Sequence, residues 1–199
     1  MTRKKVAILI SGRGSNMSVL IEAAKAPDYP AEIVGVLSNR AAAPGLEIAQ
    51  QHGIATASLA QSKFLSRDMF EDTMTQILES WEVDIVCLAG FMRILGEDFV
   101  NRWQGRMINI HPSLLPDYRG LDTHARVLAD GGKVHGCTVH FVTPGLDEGP
   151  AILQVQVPVL PGDTPETLSA RILIEEHRIY PEALRLLASG DLSADKVLN

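Results

Sequence analysis

The sequence predicts a single α/β domain: a mostly parallel, twisted sheet with helices on both faces and a late antiparallel β-pair. Short runs rich in β-branched residues alternate with segments of helical period, which is typical of a parallel sheet. A length of 199 residues suits one domain, and 46% hydrophobic residues suffice for a full core. The change of pattern near residue 135, where two strands follow each other without a helix, predicts the antiparallel pair.

The strands follow from short apolar runs bounded by turn residues. The first, VAILI, is apolar throughout, so we expect it to be buried on both faces of the sheet. The predicted strands cover residues 6–10, 33–37, 54–59, 85–89, 107–110, 136–142 and 152–159.

The helices follow from apolar residues that recur every three or four positions. We expect them over residues 16–26, 44–52, 66–80, 123–129 and 164–187. Ser66 should cap the third of these, Asp122 the fourth, and Asp163 or Thr164 the last. No internal repeat or linker interrupts the pattern, so residues 1–199 are expected to form one domain.

Composition restricts the classes of partner. A formal net charge of −6 gives no general attraction to nucleic acid. Cys87 and Cys137 lie in apolar runs, so we expect two buried free thiols and no zinc site. The apolar run after Lys5 is too short for a secretory signal, and no stretch approaches the ~18 apolar residues of a membrane span. We therefore expect a cytoplasmic protein without membrane partners.

A glycine-rich turn, SGRGSN (11–16), separates the first strand from the first helix. Backbone N–H groups and the helix dipole favour an anion at such a place, and glycines let a phosphate approach the backbone. Met17 stands where a dinucleotide site has its third glycine, and the turn lacks the lysine of a P-loop. The pattern leaves open a phosphate monoester site and a plain turn, with a dinucleotide site as the weakest alternative.

Asn109 and His111 stand two apart near the end of a strand, so both side chains point to one face at the carboxyl edge of the sheet. An Asn amide can donate to a developing oxyanion, and a neighbouring His can donate or transfer a proton. Asp147, in the turn LDEGP (146–150), is a third candidate, because an Asp can fix a His tautomer or take a proton through water. From the pattern alone, a satisfied polar pair at a strand end is the more frequent explanation of Asn109 and His111, and turn chemistry also explains Asp147.

Together these motifs resemble the phosphoribosylglycinamide formyltransferase family, folate-dependent enzymes of purine synthesis. The resemblance covers roughly residues 6–190 in the expected order, and it implies a formyltransferase-like sheet with a Rossmann-type first half. Its parts are SGRGSN (11–16), LAGFMRIL (88–95), INIHPSLLP (108–116), HGCTVHFVTPGLDEGP (135–150) and EEHRIYP (175–181).

The resemblance also implies roles for individual residues. The residues implied to hold the ribotide are Gly14, Ser15 and Asn16 at its phosphate and Glu176 at the ribose hydroxyls. The implied catalytic residues are Asn109, His111 and Asp147. The residues implied to contact folate are Arg67, Met92, Arg93, Ile94, Leu95, Asn109, Thr143, Pro144, Gly145, Leu146 and Asp147. Some members carry His where this chain has Asp122, so that position receives no role.

The implied reaction moves a formyl group from the co-substrate 10-formyltetrahydrofolate to the amine of glycinamide ribonucleotide, without a metal. Asn109 and His111 would hydrogen-bond the tetrahedral oxyanion, while Asp147 would hold His111 and accept the amine proton through an ordered water. Residues 1–105 would bind the ribotide, and residues 106–199 would carry catalysis and the folate site. The sequence does not decide the oligomeric state, and a homodimer is the assembly that we consider.

Three rival interpretations are weaker. Methionyl-tRNA formyltransferase has a further C-terminal domain and a basic tRNA surface, whereas this chain is acidic and ends soon after Leu187. Formyltetrahydrofolate deformylase, a hydrolase, has an N-terminal regulatory domain and no use for a phosphate loop, whereas this chain reaches its first strand within a few residues. A nucleotide-binding Rossmann module would leave INIHPSLLP and Asp147 unexplained.

Overall fold

The computed structural model describes residues 2–192, in which seven strands form one sheet. The strands are Lys4–Ile10 (β1), Ala31–Ser38 (β2), Ala55–Ser58 (β3), Ile85–Leu88 (β4), Met107–His111 (β5), Val134–Phe141 (β6) and Ala151–Pro158 (β7). Their order across the sheet is β3-β2-β1-β4-β5-β6-β7. Neighbours from β3 to β5 pair in parallel, whereas β6 pairs antiparallel with both β5 and β7. The predicted fold class is confirmed.

Six α-helices accompany these strands within the described residues, five between strands and the sixth after β7. They are Ser15–Ala24 (α1), Pro44–Gln51 (α2), Arg67–Ser80 (α3), Glu97–Arg102 (α4), Thr123–Ala129 (α5) and Pro165–Ser189 (α6). Five agree with the predicted helices to within about two residues. The sequence missed α4, because six residues are too few for a helical period to stand out.

The sheet is buried on both faces, and β1 shows how. Val6, Ile8 and Ile10 belong to the core that α1, α2 and α6 complete, whereas Ala7 and Leu9 belong to the core that α3 and α4 complete. All five side chains are fully buried. Successive residues of a strand point to opposite faces, so the continuous apolar run serves both layers of helices.

Two of the predicted caps are present and one is wrong. Ser66 Oγ accepts a hydrogen bond from Met69 N at 3.1 Å. Thr164 Oγ1 accepts from Thr167 N at 3.3 Å, and the Thr167 hydroxyl accepts in return from Thr164 N at 2.9 Å. Asp122 precedes α5, but its φ of 57° is left-handed and its side chain makes no capping hydrogen bond. A capping residue needs extended backbone to bring its side chain over the first-turn amides.

The long helix α6 is fixed against the strands that carry the candidate site. The Tyr180 hydroxyl lies 2.9 Å from Leu88 O, at the end of β4, and 3.3 Å from Ile108 O in β5. Asp163 does not cap α6, since its carboxylate binds the Arg171 guanidinium at 2.7 Å. These contacts fix the position of α6 along the sheet, and with it that of Glu176, which lies one turn before Tyr180.

Two further expectations concern the thiols and the membrane. Cys87 and Cys137 are free and buried, as predicted. Between residues 2 and 192, none of the helices combines the length and the apolar character that a membrane crossing requires.

Candidate active site

The three predicted catalytic residues meet at the carboxyl end of β5. Asn109 and His111 lie on this strand, and Asp147 lies in the turn between β6 and β7. His111 Nδ1 is 3.4 Å from Asp147 Oδ2, and the two side chains are only 7% and 11% exposed. Burial lowers the effective dielectric between them and strengthens the interaction of a charged pair.

The turn that carries Asp147 is folded tightly against β6. Asp147 has a left-handed backbone, with φ 52°. A Cβ on Gly149 would lie 1.7 Å from Phe141 O, so only glycine allows this approach. A left-handed residue with a side chain costs about 1–3 kcal/mol and is typical of functional sites. The local sequence thus holds the carboxylate at a fixed point beside β5.

Residues 117–122 form a loop, here called the 117–122 loop, that contacts both members of the His111–Asp147 pair. His111 Nε2 is 3.0 Å from Tyr118 O, and Gly120 N donates to Asp147 Oδ2 at 2.9 Å. A carbonyl oxygen only accepts, so Nε2 carries a hydrogen and Nδ1 is the nitrogen that can exchange a proton with Asp147. Both ring nitrogens of His111 therefore face protein acceptors, whereas the resemblance implies that His111 hydrogen-bonds the oxyanion.

His140 is a member of the cluster that sequence reasoning missed. Its Nδ1 lies 2.8 Å from Phe141 O and therefore carries the hydrogen, which leaves Nε2 to accept from Asn109 Nδ2 at 3.1 Å. His140 Nε2 is also 3.7 Å from Asp147 Oδ1. Burial lowers the pKa of His140, in keeping with a neutral ring. Its contact with Asn109 holds that amide in place and leaves the second Nδ2 hydrogen to donate.

A cavity of about 120 Å³ opens beside this cluster. Its lining includes every residue implied to contact folate except Met92 and Arg67. The lining residues are Leu88, Phe91, Arg93, Ile94, Leu95, Val100, Asn109, His140, Val142, Thr143, Pro144, Gly145, Leu146 and Asp147. Asn109 and Asp147 thus face the cavity, while His111 lies outside its lining and contacts Asp147.

A second, more open cavity of about 390 Å³ contains Arg67 and shares Arg93 with the first. Arg67 Nε lies 3.8 Å from Glu71 Oε1, and that carboxylate accepts from Gly96 N at 2.8 Å. Burial raises the pKa of Glu71. Met92 is exposed, and its N–H donates to Ser11 Oγ at 2.7 Å. Sequence reasoning missed Glu71, because a buried acid on a helix carries no motif.

The residues implied to hold the ribotide also come together. Asn16 Nδ2 donates to Glu176 Oε2 at 2.7 Å, and both side chains are buried. Burial raises the pKa of Glu176, and the hydrogen bond from Asn16 opposes that shift. Asn16 Oδ1 is buried without a hydrogen-bond partner among residues 2–192. Gly14 precedes α1 with φ 75°, and Ser15 begins the helix with an exposed side chain. The turn therefore holds an exposed serine side chain and a buried amide oxygen without a partner, which a purely structural turn does not need.

The arrangement suits transfer of an acyl group. An amide donor and a carboxylate face one cavity, and a histidine outside the cavity pairs with the carboxylate. Such groups can stabilise a developing oxyanion and remove a proton from a nucleophile. No group of three or more His, Cys, Asp or Glu suited to a metal ion occurs in the part of the chain that the structure covers.

Comparison with known proteins gives consistent matches. A family model described as formyl transferase matches residues 4–184. The phosphoribosylglycinamide formyltransferase of Escherichia coli is 46% identical over 187 residues, 94% of this chain and 88% of that protein. The chain is 50% identical to the trifunctional purine biosynthetic protein adenosine-3 of Bos taurus, but it spans only 19% of that protein's length. The crystal structure of phosphoribosylglycinamide formyltransferase from Brucella melitensis superposes with a TM-score of 0.91 at 52% identity, covering 96% of this chain and all of that one.

Proposed function

The chain belongs to the formyl transferase family, and we propose that it transfers the formyl group of 10-formyltetrahydrofolate to the primary amine of glycinamide ribonucleotide. The observation that carries this proposal is the cavity wall in which Asn109 and Asp147 face the same space, with His111 behind Asp147. The similarity to proteins named phosphoribosylglycinamide formyltransferase supports this choice of substrates within the family.

The reaction needs an oxyanion donor and a proton acceptor. The ribotide amine attacks the formyl carbon and forms a C–N bond, and the carbonyl oxygen becomes an oxyanion. The bond from that carbon to N10 of the folate then breaks, N10 takes up a proton, and the attacking nitrogen loses one. No redox partner is required.

Each member of the cluster has a distinct part in this scheme. Asn109 donates its free Nδ2 hydrogen to the oxyanion, with His140 holding the amide in place. Asp147 accepts the amine proton, directly or through a water. His111 pairs with Asp147 when Nδ1 also carries a proton, and its Nε2–H stays on the Tyr118 carbonyl, so Asn109 is the donor to the oxyanion in this arrangement. In another enzyme, removal of one oxyanion donor raises the activation free energy by about 2.7–4 kcal/mol, so Asn109 can account for much of the rate acceleration.

The two neighbouring cavities fit the two parts of a folate. The pterin would enter the smaller one between residues 92–95 and 143–147. The anionic glutamate end would lie in the open cavity, where Arg67 and Arg93 supply two guanidinium groups. Arginine binds carboxylates through paired hydrogen bonds, which suits this end of the ligand.

The ribotide would lie across the glycine-rich turn. Its phosphate would meet the amides of Gly14, Ser15 and Asn16 at the start of α1, and Glu176 would accept hydrogen bonds from the ribose hydroxyls. Burial of a carboxylate is unfavourable unless donors surround it, and Asn16 is one donor to Glu176, so ribose hydroxyls that supply further donors would fit this place.

Several broader expectations belong to the same proposal. Residues 1–105 would serve the ribotide and residues 106–199 catalysis and the folate, although residues 1 and 193–199 lie outside those described. A cytoplasmic location, the absence of nucleic-acid and membrane partners, and a homodimer stay predictions.

The test is a formyl-transfer assay with the ribotide and 10-formyltetrahydrofolate, with free formate measured in parallel. We expect formylated ribotide in amounts equal to the tetrahydrofolate released, and little formate. Formate release that does not depend on the ribotide would instead indicate a deformylase.

A further inference from the structure

We propose that Arg126 is a positioning residue that holds the 117–122 loop on the His111–Asp147 pair. The kinetic part of this inference rests on the proposed function, while its structural part does not. Arg126 lies on α5, outside the cavity, and it carries no role in the resemblance described above.

The loop presents alternate residues to the site and to Arg126. The backbone groups of Tyr118 and Gly120 contact His111 and Asp147, as described above. Arg119 follows Tyr118, and Leu121 follows Gly120. Arg126 Nη1 donates to the carbonyl oxygens of both, at 2.7 Å to Arg119 O and 3.3 Å to Leu121 O. The Arg126 guanidinium thus bonds the same stretch of backbone that contacts His111 and Asp147.

The guanidinium also packs on the loop's aromatic side chain. Arg126 Cζ lies 5.4 Å from the centre of the Tyr118 ring, within the range of a cation–π contact. Tyr118 is the residue whose carbonyl contacts His111, so this contact acts on the backbone unit that fixes the histidine ring.

The loop needs such a restraint because its backbone is strained. Tyr118 and Asp122 are both left-handed, with φ of 53° and 57°. Each such residue costs about 1–3 kcal/mol and persists only when surrounding contacts hold it. Two further side-chain contacts reach the loop: Ser113 Oγ donates to Asp117 O at 2.6 Å at its start, and Arg119 pairs with Glu148 in an exposed contact. Arg126 is the side chain that we assign to the middle of the loop, where it bonds two backbone carbonyls.

The consequence concerns geometry at the reacting atoms. If the Tyr118 carbonyl leaves His111 Nε2, the ring can rotate and Nδ1 loses its alignment with Asp147. A displacement of about 1 Å in a catalytic group can cost up to about 100-fold in rate. Asp147 is the one residue of the implied ligand contacts that the loop bonds, and the remaining contacts lie in other segments, so we expect the larger effect on kcat rather than on KM.

The experiment compares Arg126→Gln, Arg126→Lys and the control Arg106→Gln. Arg106 offers a matched environment, since it stacks on Trp103 at 4.6 Å and donates to Arg102 O at 2.9 Å, but it precedes β5 at the end of the strand away from the site. We expect Arg126→Gln to lower kcat about 10-fold or more with both KM values within about 3-fold. Arg126→Lys, which keeps the charge, should recover part of the loss, and Arg106→Gln should keep the wild-type kcat.

An imidazole 1H–15N spectrum supplies a readout that does not depend on activity. The wild type should show a slowly exchanging His111 Nε2–H, assigned by its loss in His111→Gln. That signal should broaden or shift in Arg126→Gln and persist in Arg106→Gln. An unchanged His111 signal in Arg126→Gln would overturn the proposal, as would an unchanged kcat in an enzyme that transfers formyl groups. A wild type without transfer activity would contradict the proposed function, and the spectrum would still decide the role of Arg126.

Discussion

Ser15 is the exposed polar residue at the first position of α1, and it offers a direct test of the phosphate site at the residue scale. Ser15→Ala should weaken ribotide binding by about 10–150-fold, since a hydrogen bond to a charged group contributes roughly 1.5–3 kcal/mol. Calorimetric titration should show unchanged affinity for a folate analogue. Ser80→Ala, which removes an exposed hydroxyl at the end of α3, is the control. Unchanged ribotide affinity would leave the turn without a ligand role.

The residue scale also shows where sequence reasoning reaches its limit. Asn109 and His111 could be predicted because their spacing on one strand already places both at the same face. His140 could not, because its position opposite Asn109 depends on the register between β5 and β6, which are separated by a loop and α5. Asn109 and His140 form a contact only after the chain has closed that distance.

At the scale of elements, Thr164 tests whether the observed capping contributes to stability. Thr164→Ala removes an acceptor for Thr167 N at the start of the 25-residue α6, and it should lower the free energy of unfolding by about 1 kcal/mol. Urea titration measures the change. Thr73→Ala, at a half-buried interior position of α3, should change it by no more than about 0.5 kcal/mol. Equal effects of the two substitutions would show that the Thr164 cap has no special value.

The elements were predictable where local signals are strong. Ser66 and Thr164 precede helices in extended backbone, so their residue type was sufficient to identify them as caps. Asp122 has an equally suitable side chain, but tertiary contacts hold its backbone left-handed, and Thr123 instead donates its hydroxyl hydrogen to Pro112 O at 2.7 Å. Backbone conformation at a helix start thus depends on the loop before it, which residue type alone does not reveal.

For the whole molecule, His135 predicts how stability depends on pH. It is buried, both ring nitrogens lack partners among the described residues, and burial lowers its pKa to about 4 from 6.5. The unfolded chain therefore binds a proton between these values and the folded chain does not, so stability is complete above pH 6.5 and falls as the pH drops towards 4. Lowered pKa values of His124 and His140 act in the same direction, while raised values of Glu71 and Glu176 oppose it.

His135→Phe should remove the contribution of His135 to this loss. A phenyl ring retains the packing and leaves no hydrogen bond broken. The variant should therefore lose less stability than the wild type between pH 7 and pH 5, by about 2 kcal/mol, in urea titrations at both values. An identical loss in the two proteins would show that His135 is not buried in the neutral form.

The molecule as a whole was predictable because its layers agree with its sequence pattern. The apolar strands of the parallel half and the two consecutive late strands identified one mixed sheet, and the observed order places β1, β4 and β5 side by side. The contacts that join the subsites, such as Ser11 with the Met92 amide, depend on that closed sheet and have no local signal. The fold thus followed from periodicity, while the connections between its sites required the structure.

The most direct test of the account is the kcat of Asp147→Asn, measured together with its ribotide affinity. The amide keeps the size and hydrogen-bonding reach of the carboxylate but cannot accept the amine proton or pair with His111 as an anion. We expect kcat to fall by about 10²–10⁴ and the ribotide affinity to stay within a few-fold. Glu148→Gln, the neighbouring and exposed carboxylate of the same turn, should remain close to wild type. An Asp147→Asn enzyme that kept more than about a tenth of the wild-type kcat would contradict the assignment of Asp147 as the proton acceptor.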